Sequence, residues 1–201
     1  MTIYMTSDLH VDHYINHRVS LENYINNVLK PADVLCVAGD TCDDPNLFVE
    51  FYKAVSPRYK KIFVVFGNHD LTVGNNSYFR NNPFKETQAK LNYLKAEMQK
   101  LDKVVSQKPD IIMTHYIPLF FGVERQYYYS DSTTYFYFNG QKYLDQLKDK
   151  SIWLAGHTHT VRAKDLLQGD GRIIQLKLNP VGYPDEDSGN AAAMDKFLVE
   201  K

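Results

Sequence analysis

Short apolar runs alternate with longer amphipathic stretches along this chain. Ile3–Thr6 is β-prone and ends at Ser7-Asp8. Val34–Ala38 is continuously apolar and closes on Gly39-Asp40, and Lys61–Phe66 ends at Gly67-Asn68. Ile111–Met113 leads into Thr114-His115, Ile152–Ala155 into Gly156-His157, and Ile173–Leu178 is the last such run. Each predicts a strand. Arg18–Lys30 carries Val19, Ile25, Val28 and Leu29 near helical spacing and meets Pro31, which predicts a helix with its stop. Pro45–Val55 sets its proline in a first helical turn and Leu47, Phe48, Phe51 and Tyr52 on one face. Phe84–Leu101, with Leu91, Leu94 and Met98 spaced for burial, and Tyr143–Leu147 predict two more helices. Beyond Pro184 the chain is acidic and then alanine-rich, and Ala191–Val199 suits a terminal helix or tail. Strands alternating with helices imply parallel βαβ units in a layered α/β domain. Ligands of such sheets gather beyond the carboxyl ends of the strands.

A length of 201 residues predicts one domain spanning 1–201, long enough to bury a sizeable core. The formal charge of −1, from 23 basic and 24 acidic side chains, argues against a general polyanion-binding surface. No apolar run approaches the roughly 20 residues that span a bilayer, and Met1–Thr6 lacks the basic start and apolar core of a signal peptide. The two cysteines, Cys36 and Cys42, flank so short a turn that reduced thiols in a cytoplasmic protein are expected. Cys36 is expected as core filler, whereas Cys42 is either filler or a neighbour of the site.

The strand ends carry the chemistry. They present Asp8-Leu9-His10, Gly39-Asp40, Gly67-Asn68-His69-Asp70, Thr114-His115 and Gly156-His157-Thr158-His159. Carboxylate oxygen, amide oxygen and imidazole nitrogen together suit two adjacent divalent cations and the hydrolysis of a phosphate ester. If Asp8 and His10 continue the strand, their i, i+2 spacing points both to one side, and His157 and His159 repeat that spacing. A carboxylate at Asp40 has two oxygens and can bridge two ions. A buried Asp8–Asp40 pair with no cation between its members would be costly.

The motif set, in this order and over roughly residues 3–182, resembles the calcineurin-like metallophosphoesterase family. The segments Tyr129-Ser130-Asp131 and Asn179-Pro180-Val181-Gly182-Tyr183-Pro184 resemble its small bacterial and phage members. The resemblance implies a four-layered α/β/β/α sandwich with a dinuclear metal site at one edge. It implies that Asp8, His10, Asp40 and His159 hold one metal, and that Asp40, Asn68, His115 and His157 hold the other. It further implies that His69 faces the substrate, stabilises phosphoryl charge and protonates the leaving oxygen, with Asp70 orienting His69 by a hydrogen bond. The expected cofactors are two divalent ions, Mn²⁺ first, with Fe, Zn, Ni or Co also accepted by mixed Asp/His/Asn ligation. The expected reaction is hydrolysis of a small phosphomonoester or phosphodiester, with water shared by the two cations as the nucleophile.

Departures narrow this picture. Gly39-Asp40-Thr41-Cys42-Asp43-Asp44 lacks the Asp-Arg-Gly of the protein Ser/Thr phosphatases, so the arginine that would clamp a phosphate there is missing. Val181 stands where similar small members often carry arginine. Arg80, Arg125 and Arg162 are the remaining candidates for substrate contact. His13 either lies in an exposed loop or lines the substrate mouth. The aromatics Phe120, Phe121, Tyr127–Tyr129 and Tyr135–Phe138 either pack or offer stacking surfaces to substrate. Two other functions share the fold: a nuclease, which near-neutral charge disfavours, and a non-catalytic interaction scaffold, which retention of every metal-site side chain disfavours.

Overall fold

The computed structural model describes residues 1–71, 83–123, 125, 128–129, 133–186 and 198–200. Its elements run β1 (Thr2–Thr6), α1 (Val11–Asn16), α2 (Leu21–Val28), β2 (Val34–Ala38), α3 (Pro45–Val55), β3 (Lys61–Val65), α4 (Asn68–Leu71) and α5 (Pro83–Ser106). They continue with β4 (Ile111–Met113), α6 (Gln141–Leu144), β5 (Ile152–Ala155), β6 (Arg162–Leu167), β7 (Ile173–Leu178) and β8 (Leu198–Glu200). The strands form two four-stranded sheets, ordered β3-β2-β1-β8 and β4-β5-β7-β6. Within each, the first three strands run parallel and the last is antiparallel.

Alternation along the central strands builds the layers. Ile3, Met5, Val34, Cys36 and Ala38 of the first sheet pack with Ile152 and Leu154 of the second. The residues between them turn the other way. Tyr4, Leu35 and Val37 meet Tyr24, Ile25, Phe51 and Val55 on α2 and α3, while Trp153 and Ala155 pack with Val105 of α5 and with Tyr143 and Leu144 of α6. Helices therefore cover the outer face of each sheet, and the two inner faces meet, which makes the α/β/β/α sandwich. Strands buried on both faces read as unbroken apolar runs, which is why β2 and β5 stand out in the sequence.

Several elements differ from expectation: short helices α1 and α4 were not foreseen, and Leu91 and Leu94 of α5, spaced for burial, are exposed. The helix foreseen over 18–30 is shorter, because Ser20 caps α2 by accepting the Asn23 amide and Leu29 is already extended. β6 was not foreseen: Arg-Ala-Lys-Asp-Leu-Leu lies at a sheet edge, mostly exposed, so it carries no apolar alternation. Leu198 and Val199 are strand rather than the end of a helix, and pair with β1. The rest of that expected helix, 191–197, lies outside the described residues, as do Arg80, Tyr127 and the Ser130-Asp131 pair. Among the described residues no helix is long and apolar enough to cross a membrane.

Candidate metal centre

Each chemistry-bearing segment begins where its strand stops. The turns are sharp, and four site residues hold the left-handed backbone that side chains disfavour: Asp8 (φ 49), His10 (φ 42), Asp40 (φ 55) and His157 (φ 70). Such backbone collects at functional sites, where the surroundings over-determine it. Asp8 and His10 are therefore not successive in-facing residues of a strand, and a turn rather than the pleat brings them together. Gly39 (φ 87) precedes Asp40, and a Cβ on it would sit 2.5 Å from Nδ1 of His115. Only a glycine lets that loop pass so close.

Two groups of donors result. In the first, Asp8, His10 and His159 converge. Nε2 of His10 lies 3.1 Å from Nε2 of His159, and Asp8 Oδ1 is 3.8 Å from the latter. In the second, Asp40, His115 and His157 converge. Nε2 of His115 lies 3.2 Å from Asp40 Oδ2, 3.2 Å from His157 Nδ1 and 3.0 Å from Asn68 Oδ1. All seven residues named from the sequence thus lie in or against two adjoining clusters. His157 and His159, two positions apart, go to different ones.

Outer contacts aim these donors. Nδ1 of His115 lies 2.9 Å from the Ala38 carbonyl, so Nδ1–H donates outward and Nε2 turns its lone pair to the cluster. Nδ1 of His159 lies 2.6 Å from Glu186 Oε2 and orients that ring in the same way. The His157 amide donates to both oxygens of Asp8, at 2.9 and 3.0 Å. The His69 amide donates to Asp40 Oδ1 at 2.8 Å.

The electrostatics suit cations. Asp8 is fully buried, and burial, with Asp40 adding repulsion, pushes its carboxyl up to about 6. Burial and the neighbouring His159 hold His10 down to about 2, and burial and His115 hold His157 down to about 4, so both imidazoles stay neutral and keep lone pairs free. Burial opposes charge on His115 and on Asp40, but their contact wins, raising the first and lowering the second. Two buried carboxylates therefore draw positive charge into this space.

His69 does not join either cluster. Its Nδ1 lies 2.6 Å from Asp43 Oδ1, and its Nε2 lies 3.2 Å from the Tyr183 hydroxyl. Asp70, expected to orient His69, does something else. Its carboxylate accepts the amides of Asp40 and Gly67 at 2.8 Å each on Oδ2, and those of Thr41 and Cys42 at 2.8 and 3.3 Å on Oδ1. It clamps two loops together, and Asp43 takes the orienting place. A buried carboxylate beside four unpaired amides satisfies them in preference to a side-chain partner.

Other readings separate in the same way. Cys42 is buried among the apolar residues behind the site, its thiol pushed up to about 12 by burial and then by Asp12, so it is filler. Both cysteines are free. Nη1 of Arg162 donates to the carbonyls of Gly122 and Val123, and Arg125 is exposed. The His13 ring sits 4.6 Å from that of Tyr183, at the rim. Tyr128, Phe136, Tyr137 and Phe138 pack against the second core, while Tyr129 and Tyr135 are exposed. Sequence reasoning missed Tyr183 and Glu186 as site residues, and set Asp43 near the site only as negative field, not as the partner of His69. Tyr183 belonged to a segment already singled out, but nothing in the spacing showed that Glu186 folds back onto a histidine 27 residues earlier.

A family model for calcineurin-like phosphoesterases matches residues 1–161. The chain belongs to that family. As a calcineurin-like phosphoesterase it is a metal-dependent phosphoric ester hydrolase. The structure of phosphopantetheinyl hydrolase from Mycobacterium tuberculosis superposes with a TM-score of 0.63 at 15% identity, covering 93% of each chain. A metallophosphoesterase from Sphaerobacter thermophilus gives a TM-score of 0.40 at 17% identity, over 92% of this chain and 80% of that one. Comparison with curated protein sequences finds no match. The family and the paired Asp/His clusters together suggest a dinuclear divalent site in this phosphoesterase. The donors fit such a pair: carboxylate oxygens and imidazole nitrogens face inward, and the outer ring nitrogens of His115 and His159 are already engaged.

Proposed function

We propose that this phosphoesterase hydrolyses a small phosphomonoester or phosphodiester at the paired Asp/His clusters, with His69 as the group that meets the leaving oxygen. Asp8, His10, Asp40 and His159 would hold one cation, and Asp40, Asn68, His115 and His157 the other. Two divalent cations supply Lewis acidity toward phosphoryl oxygens and make water a competent nucleophile at neutral pH. The chain's own residues do the rest. Asp40 has Oδ2 beside His115 and Oδ1 accepting the His69 amide, which fixes its rotation. Asp70 holds the Asp40 turn rigid through backbone amides, so both clusters keep their spacing. His69 stands outside the clusters with Nδ1 held by Asp43 and Nε2 turned toward the Tyr183 hydroxyl, the edge from which it would donate a proton.

The observation that carries this reading is the convergence of six carboxylate and imidazole ligands into two groups with a histidine held beside them. The test is a panel of aryl phosphomonoesters, aryl phosphodiesters, cyclic nucleotides and a phosphopantetheinyl ester, the last suggested by the name of the Mycobacterium tuberculosis neighbour. It is run with Mn²⁺ and with chelator. Turnover of at least one ester that chelator abolishes and Mn²⁺ restores is expected. A rate indifferent to chelator, or none with any ester, would remove the reading.

A further inference from the structure

The strap that follows β7 crosses the centre and is tied down along its length. The Val181 amide donates to the Ser7 carbonyl at 3.0 Å, and the Gly182 amide to the Asp8 carbonyl at 3.0 Å. The Tyr183 amide donates to Glu186 Oε2 at 2.8 Å, the same oxygen that lies 2.6 Å from His159 Nδ1. Gly182 (φ 80) makes the bend that sends the next side chain over the site. The Tyr183 ring then lies 4.3 Å from that of His10 and 4.7 Å from that of His159, measured between centroids. Its hydroxyl ends 3.2 Å from Nε2 of His69.

Nδ1 of His69 faces Asp43, and Nε2 is the edge that faces the Tyr183 hydroxyl. An oxygen of a substrate that reaches Nε2 therefore reaches the phenol as well. Among the described residues, the hydrogen-bond and ionic partners of Asp8, His10, Asp40, Asp43, His115, His157, His159 and Tyr183 include no lysine or arginine. Arg162 is engaged by the carbonyls of a loop.

We propose that Tyr183 is a substrate-contacting residue, its hydroxyl donating a hydrogen bond to a non-bridging oxygen of the phosphoryl group. The inference rests on the phosphoesterase reading above. A neutral donor on a strap fixed at both ends needs no reordering when substrate arrives, which is what makes one hydrogen bond count at a transition state.

The test compares wild type with Tyr183→Phe, both loaded with Mn²⁺, by elemental analysis, by calorimetric titration with inorganic phosphate, and by kcat and KM on an ester that the wild type cleaves. Tyr183→Phe is expected to keep its metal content, to bind phosphate about ten- to a hundredfold more weakly and to lose a similar factor in kcat/KM. Phosphate affinity and kcat/KM equal to wild type would overturn the proposal. So would loss of metal along with phosphate affinity, since the hydroxyl would then act through the strap. In a His69→Asn background the substitution is expected to weaken phosphate binding still, and no further effect there would reduce Tyr183 to a positioner of His69. A wild type inert to every ester sinks the phosphoesterase reading, whereas the phosphate titration still decides Tyr183.

Discussion

Oδ2 of Asp70 accepts the backbone amide of Asp40 at 2.8 Å across 30 residues of sequence. That bond and its three companions fasten the loop after β2 to the loop after β3. Asp70→Ala would leave the amides of Asp40, Thr41, Cys42 and Gly67 without their acceptor. The expected cost is about 3 kcal/mol of stability, read from urea unfolding of the metal-loaded protein. Asp70→Asn, which retains one acceptor oxygen, is expected to lie between. A variant as stable as wild type would show that the clamp contributes nothing.

Asp43, not Asp70, stands against His69. His69→Asn is expected to retain metal and lose about 10²- to 10⁴-fold in kcat. Asp43→Asn is expected to lose about 10- to 100-fold, because the imidazole loses the carboxylate that orients it. Metal analysis beside kinetics separates this from collapse of the site. Full activity in His69→Asn would contradict its assignment as the acid.

Asp40 and Glu186 should differ in which cations they govern. Asp40→Asn is expected to weaken both metal positions under the bridging role proposed for that carboxylate. Of the proposed ligands Glu186→Gln touches His159, besides the Tyr183 amide, and is expected to weaken one position, by about 10- to 100-fold. Metal titrations followed by elemental analysis give the stoichiometry. Two full equivalents in Asp40→Asn would exclude bridging, and an unchanged Glu186→Gln would exclude support through His159.

The sequence by itself determined the α/β class, the six strands with apolar faces and the seven donors at the strand ends. Each follows from local pattern: a strand buried on both sides must be apolar throughout, and a ligand must stand where the backbone leaves the sheet. Edge strand β6 stayed hidden because solvent on its exposed residues erases that pattern. Tertiary structure alone decided the partners of the donors. Asp70 turned from His69 to four backbone amides, Asp43 replaced it, and Glu186 and Tyr183 came back over the site from beyond the last predicted strand. Those choices depend on left-handed turns at Asp8, His10, Asp40 and His157. Such turns are unfavourable locally, and only the packed layers around them hold them in place.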